Sequence, residues 1–82
     1  MREPYGYIGH FVRAVKQDAI EVWQHDGCLY AVKHHPQSRY PWRLEWARLD
    51  RPDMSDAIFT SRAELDEYVI QKGLRPQLTL GI

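Results

Sequence analysis

The residue types that bind transition metals are concentrated in one short segment. His25 and Cys28 flank the dipeptide Asp26–Gly27, and two adjacent histidines follow at His34–His35. Imidazole and thiolate are the preferred ligands of zinc. Structural zinc sites repeat their ligand pairs, however, and this segment has one pair, while adjacent residues of a strand point to opposite faces. We therefore predict no metal site and no cofactor.

The single cysteine is also the one candidate nucleophile in this segment. A neighbouring histidine could activate Cys28, with Asp26 orienting the base. The sequence offers no oxyanion hole, Gly-rich phosphate loop or nucleophile elbow beside it. A domain of 82 residues also rarely encloses a pocket of about 300 Å³ or more. We predict that the chain is not an enzyme and that Cys28 packs as a small apolar residue.

A second group of residues is aromatic and basic. Arg outnumbers Lys by eight to three, and Arg, Tyr and Trp are the residue types that dominate protein-binding hot spots. A sheet that presents them can also lie in a DNA groove or stack single-stranded bases. The candidate contact residues are Lys33, Arg39, Tyr40, Arg43, Arg48 and Arg51.

These residues lead to two functional hypotheses. The first is a small non-enzymatic protein-binding or regulatory domain, such as an accessory or inhibitor protein of a phage or mobile element. Its partner would be an acidic protein surface or the acidic helix of another copy, which would make a homodimer. The alternative is nucleic-acid (DNA) binding through the β-sheet, which the balance of eleven basic and eleven acidic residues disfavours.

Charge is nevertheless segregated along the chain. Residues 33–51 carry five Lys or Arg against two acids, and residues 53–67 carry five acids against one Arg. This distribution predicts a dipolar domain.

Composition and length predict one folded domain. The chain is 44% hydrophobic and 12% aromatic, which is well above the content of a disordered segment. It has no apolar run suited to a signal peptide or a membrane span, and its lone cysteine fits a reducing compartment. We expect a cytoplasmic protein without a membrane partner.

Two strand regions are indicated by alternation and by turn residues. Trp42, Leu44 and Trp46 alternate with polar positions, which predicts a strand over about 41–48 with the indoles facing a helix. On the opposite, solvated face, Arg43 would pair with Glu45.

The Asp26–Gly27 dipeptide favours a tight turn and predicts a hairpin over about 19–34. A two-residue loop would place Trp23 opposite Tyr30, and a three-residue loop would shift that pairing by one.

The helix signals lie near the C-terminus. Ser61 and Glu64 form a capping box, and Gly73 is placed to end the helix in a left-handed conformation, which predicts a helix over about 62–72. The apolar face of this helix carries Leu65, Tyr68, Val69 and the stem of Lys72.

Two segments fit more than one structure. Residues 7–16 have apolar side chains at helical offsets, yet some of them also alternate, and Gly6 and Gly9 disfavour an early helix, so we predict a strand. The tail, 74–82, alternates like an edge strand or a segment docked on a partner. Residues 51–55, between Asp50 and Asp56, are predicted as a loop before a brief extended stretch over 57–59.

The expected fold is therefore α+β. It consists of a three- to four-stranded antiparallel β-meander with one C-terminal α-helix packed on one face.

Overall fold

The fold is a four-stranded antiparallel sheet with two helices, seen in a computed structural model that describes residues 6–75. The elements in chain order are α1 (Gly6–Lys16), β1 (Glu21–His25), β2 (Cys28–His34), β3 (Trp42–Arg48), β4 (Met54–Phe59) and α2 (Arg62–Lys72). Each strand pairs with the next one along the chain, so the sheet is a meander in the order β1-β2-β3-β4. The predicted α+β class and C-terminal helix are confirmed.

The first hairpin has the tight turn that its sequence favours. Asp26 and Gly27 have φ angles of 52° and 78°, and two positive φ values at the central residues define a type I′ turn. The loop therefore has two residues, and Trp23 pairs with Tyr30 as expected for that length. Their rings stack with centroids 5.5 Å apart.

Helix α2 begins and ends at the residues that its caps specify. The Ser61 hydroxyl accepts a hydrogen bond from the Glu64 amide at 3.2 Å, while the Glu64 carboxylate accepts one from the Thr60 amide at 2.9 Å. At the other end Gly73 has φ 65°, and the Leu74 amide donates to the Val69 carbonyl at 3.0 Å, which is the Schellman pattern.

The prediction of a strand over residues 7–16 is wrong, because this segment forms helix α1. Ile8, Phe11, Val12 and Val15 recur at the offsets of one helical face, and Val15 is completely buried. Gly9 is exposed, and in a helix it costs about 1 kcal/mol relative to alanine. Burial of the apolar stripe outweighs that cost, so tertiary packing decides the structure here.

The two helices cover opposite faces of the sheet. Val15 of α1 packs with Leu29, Ala31 and Ala47. On the other face, side chains of α2 form a second buried cluster with residues of β2 and β3, which comprises Cys28, Tyr30, Val32, Leu44, Leu65 and Val69. Trp42 and Trp46 lie half-buried against this second cluster, on the face predicted for them. The domain thus has three layers, α1, the sheet and α2.

Strand β4 is longer than expected. It begins at Met54, inside the segment predicted as a loop, and pairs with β3 from Ala47 opposite Met54 to Trp42 opposite Phe59. The predicted tail over 74–82 lies outside the described residues beyond position 75. Neither α1 nor α2 is long and apolar enough to cross a membrane.

One carboxylate of β1 holds α2 against the sheet. Arg62 Nη2 lies 2.8 Å from Glu21 Oε2, and Arg75 Nη1 lies 3.1 Å from Glu21 Oε1. Partial burial acts to raise the pKa of Glu21, but the hydrogen bonds and charges of Arg62 and Arg75 outweigh it and lower that pKa. While it is ionised, Glu21 therefore connects β1 to the first residue of α2 and to Arg75, which follows the helix.

Replacement Glu21→Gln is expected to destabilise the domain in a pH-dependent way. A depressed folded-state pKa contributes stability above the unfolded-state pKa, and this contribution is lost as the pH falls through the folded value. Urea unfolding at pH 7 should show a loss of less than about 1 kcal/mol, since these pairs are partly exposed. The difference from the wild type should vanish in acid, and an equal loss at low pH would contradict the assignment.

Candidate interaction surface

The six candidate contact residues do not form one surface, and Lys33 does not lie on the surface at all. Lys33 is 8% exposed beneath α1. Its ammonium lies 2.8 Å from Glu45 Oε1 and donates a hydrogen bond to the Ala14 carbonyl at 3.0 Å. That carbonyl belongs to the last turn of α1, where a cation complements the helix dipole. The role of Lys33 is therefore to hold α1 on the sheet.

Arg43 pairs with Glu45 as the sequence predicted, but the prediction that this pair lies on a solvated face is wrong. Glu45 is 6% exposed, because α1 covers it. Arg43 remains partly exposed, with Nη1 3.4 Å from Glu45 and Nε 3.7 Å from Asp56. A row of alternating charges thus crosses β2, β3 and β4 on the α1 face, in the order Lys33, Glu45, Arg43, Asp56.

Arg48 and Arg51 lie at the opposite end of β3 from the β2–β3 loop. Arg48 Nε and Nη2 bind the two carboxylate oxygens of Asp50 at 3.1 and 3.2 Å. Strand β3 has seven residues, from Trp42 to Arg48, so its two ends lie about 20 Å apart. Arg48 and Arg51 are therefore too far away to share a compact contact patch with Arg39.

Arg39 and Tyr40 stand on the β2–β3 loop, residues 35–41, which is braced by its own hydrogen bonds. The His35 amide donates to the Pro41 carbonyl at 2.7 Å, and the Ser38 amide donates to the His35 carbonyl at 2.9 Å. The Tyr40 amide donates to the Ser38 hydroxyl at 3.2 Å. Both candidate side chains are exposed, and the Arg39 guanidinium lies 5.9 Å from the centre of the Tyr40 ring. The loop therefore holds an arginine and a tyrosine side by side in solvent.

Aromatic and basic groups extend this surface onto the sheet. His34 stacks on Trp42 with ring centroids 4.0 Å apart, and the Arg62 guanidinium lies 5.6 Å from the Trp42 ring. The sequence has no acidic residue between Lys33 and Glu45. We call the surface formed by His34, His35, Arg39, Tyr40 and Trp42 the basic end.

The cysteine and histidines considered as metal ligands are divided between the two ends of the first hairpin. Cys28 is buried opposite His25 at the first residue of the strand, whereas His34 is its last residue. Within residues 6–75 no three His, Cys, Asp or Glu side chains come together in a way that could hold a metal ion.

The buried pair of Lys33 and Glu45 is what sequence reasoning missed. A signal was present at Lys33, which follows an unbroken apolar run in β2. Glu45 gave no such signal, because it occupies one of the alternating polar positions of β3. The signal at Lys33 could be read only with an α1 helix to cover its face of the sheet.

Comparisons with protein-family models, with curated proteins and with solved structures find no match to this chain.

Proposed function

We propose that this chain is a small non-enzymatic protein-binding domain whose basic end contacts an acidic surface of another protein. The observation that carries this proposal is the exposure of Arg39 and Tyr40 on a hydrogen-bonded loop, in a stretch of sequence without acids. Arg and Tyr are the residue types that contribute most to binding hot spots. A braced loop also loses less conformational entropy on binding than a mobile one.

Such a domain is suited to regulate a partner protein by covering part of the partner's surface. It offers a compact scaffold and one charged, aromatic end, as an accessory or inhibitor protein of a phage or mobile element would. The buried thiol of Cys28, the one cysteine of the sequence, supports a reducing compartment such as the cytoplasm.

The geometry favours a protein partner over DNA. Binding of DNA by the sheet needs an open sheet face, and here α1 lies on one face and α2 on the other. The formal net charge is zero, which gives little non-specific attraction to phosphates.

The double replacement Arg39→Ala with Tyr40→Ala is expected to abolish partner capture. The tagged protein would be incubated with lysate of the cells that encode it, and captured proteins would be quantified by mass spectrometry. Loss of two hot-spot side chains, each contributing about 2 kcal/mol or more, should weaken binding at least about a hundredfold. Both side chains are exposed, so thermal unfolding should change little.

Arg51→Ala is the matched control, since it removes an exposed arginine at the other end of β3. It should capture the same protein as the wild type. Equal capture by wild type and the double variant would overturn the proposal. A DNA mobility shift that is lost steeply with added salt and depends on Arg39 would replace it with nucleic-acid binding.

A further inference from the structure

Strand β4 is an edge of the sheet that presents apolar side chains to solvent. Met54 is 41% exposed and Ile58 is 48% exposed. Both lie on the α1 face, opposite Ala47 and Arg43 of β3. Helix α1 packs over β2 and β3, so it leaves these two side chains uncovered.

Within residues 6–75 no strand pairs with the outer side of β4, and the backbone groups on that side belong to the same residues. The Arg48 amide donates to the Asp53 carbonyl at 2.9 Å, which makes Arg48 and Asp53 a hydrogen-bonded pair of the β3–β4 ladder. Such pairs alternate with non-bonded ones in an antiparallel ladder. Met54, Asp56 and Ile58 therefore direct their amide and carbonyl groups away from β3, towards the open edge.

This edge has few of the features that usually protect an edge strand. Strand β4 has the sequence MSDAIF, without Pro or Lys, and its pairing with β3 runs through all six residues without a bulge. Its one charge, Asp56, already lies 3.7 Å from Arg43. The edge is thus able to accept another strand.

We propose that β4 pairs in antiparallel fashion with β4 of a second copy, around a twofold axis at Asp56, to form a continuous eight-stranded sheet. In this register Met54 lies opposite Ile58 of the partner subunit, and Ile58 lies opposite the partner's Met54. The three facing pairs involve only residues whose backbone groups point outward, so each pair exchanges two hydrogen bonds.

The side chains of β4 favour this register, and they also favour a second copy of the chain as the strand that pairs with the edge. If the twofold axis shifts by one residue in either direction, Asp56 lies opposite an apolar side chain. Met54 and Ile58 then no longer face each other across the interface. With the axis at Asp56 they pair, so the strand is complementary to itself. The two Asp56 carboxylates then face each other across the axis, and the Arg43 beside each of them partly neutralises the repulsion.

The interface between two β4 strands buries little surface, so the association should be weak. A single pair of six-residue strands falls short of the roughly 1,000 Å² that a stable biological interface buries. The dimer should therefore be weak and should form with rising protein concentration.

Sedimentation velocity from micromolar to millimolar concentration tests the proposal. The wild-type mass should rise towards twice 9.7 kDa, and Ile58→Lys should remain a monomer throughout. Asp56→Asn should strengthen association several-fold, because it removes the facing charges. Val22→Lys is the matched control, since Val22 is an exposed apolar residue of the other edge strand, β1, and this variant should associate like the wild type.

Circular dichroism and thermal unfolding would confirm that each variant is folded, and Met54→Lys replaces Ile58→Lys if the latter is not. A wild type that stays monomeric over the whole range would overturn the proposal. Loss of association in Val22→Lys but not in Ile58→Lys would overturn it as well. The Arg39 and Tyr40 double variant should still associate, so the dimer and the basic end are tested separately.

Discussion

Replacement Glu45→Ala is expected to lower the free energy of unfolding by roughly 3–5 kcal/mol, because it leaves the Lys33 ammonium buried without a counter-charge. The two side chains are less than 10% exposed, and their charged atoms lie 2.8 Å apart beneath α1. After the replacement the ammonium keeps its hydrogen bond to the Ala14 carbonyl, which carries no full negative charge. Urea unfolding at pH 7 measures the loss.

The matched double variant separates the ion pair from packing. Lys33→Met with Glu45→Leu removes both charges and keeps their volume, so it should be close to wild type or more stable. Asp50→Ala breaks the exposed pair with Arg48 and should leave the free energy of unfolding almost unchanged, because solvent screens that pair. If Glu45→Ala cost as little as Asp50→Ala, the burial of Glu45 under α1 would be contradicted.

Replacement Leu44→Ala is expected to cost about 2–5 kcal/mol, and it reports on the other face of the same strand. Leu44 is completely buried between β3 and α2, with Leu65 and Val69 in the same cluster. Removing its side chain leaves a cavity that the rigid strand cannot close. The total stability of a small domain is of order 5–15 kcal/mol, so the variant should be at the margin of folding.

Ile70→Ala is the control for this experiment, since Ile70 lies on the outer face of α2 and is largely exposed. It should change the free energy of unfolding by about 0.5 kcal/mol or less. Equal losses for Leu44→Ala and Ile70→Ala would mean that α2 does not bury the face assigned to it.

The features that the sequence predicted correctly depend on local signals. The Asp26–Gly27 turn fixes the hairpin, alternation at Trp42 to Trp46 fixes a strand, and the caps at Ser61 and Gly73 fix α2. Each signal lies within the element that it specifies. A sequence pattern therefore suffices to locate these elements to within one or two residues.

Helix α1 was not predicted, because its structure depends on packing against the sheet rather than on a local sequence signal. The segment contains two glycines near its start, and its apolar residues fit both periods, so only the sheet face that they bury selects the helix. This error also explains the wrong environments expected for Lys33 and Glu45, since without α1 their face of the sheet would be solvated.

The positions of the candidate contact residues could be predicted only in part. Arg39 and Tyr40 are exposed, as contact residues must be, but the sequence grouped them with Arg48 and Arg51. Their role in binding stays a prediction. The seven-residue strand between Trp42 and Arg48 already implies that the two groups lie about 20 Å apart. Residues at opposite ends of a strand are far apart in space, so β3 separates Arg39 and Tyr40 from Arg48 and Arg51.

Helices α1 and α2 cover the two faces of the sheet, so the contacts proposed above lie at the basic end and at the β4 edge. Nuclear Overhauser effects between side-chain methyl groups test this arrangement most directly. The Val15 methyls should show contacts with the methyls of Ala31 and Ala47, while the Leu65 methyls show contacts with Leu44. Contacts of Val15 with Leu44, or none with Ala31 and Ala47, would contradict the three-layer structure and the surfaces derived from it.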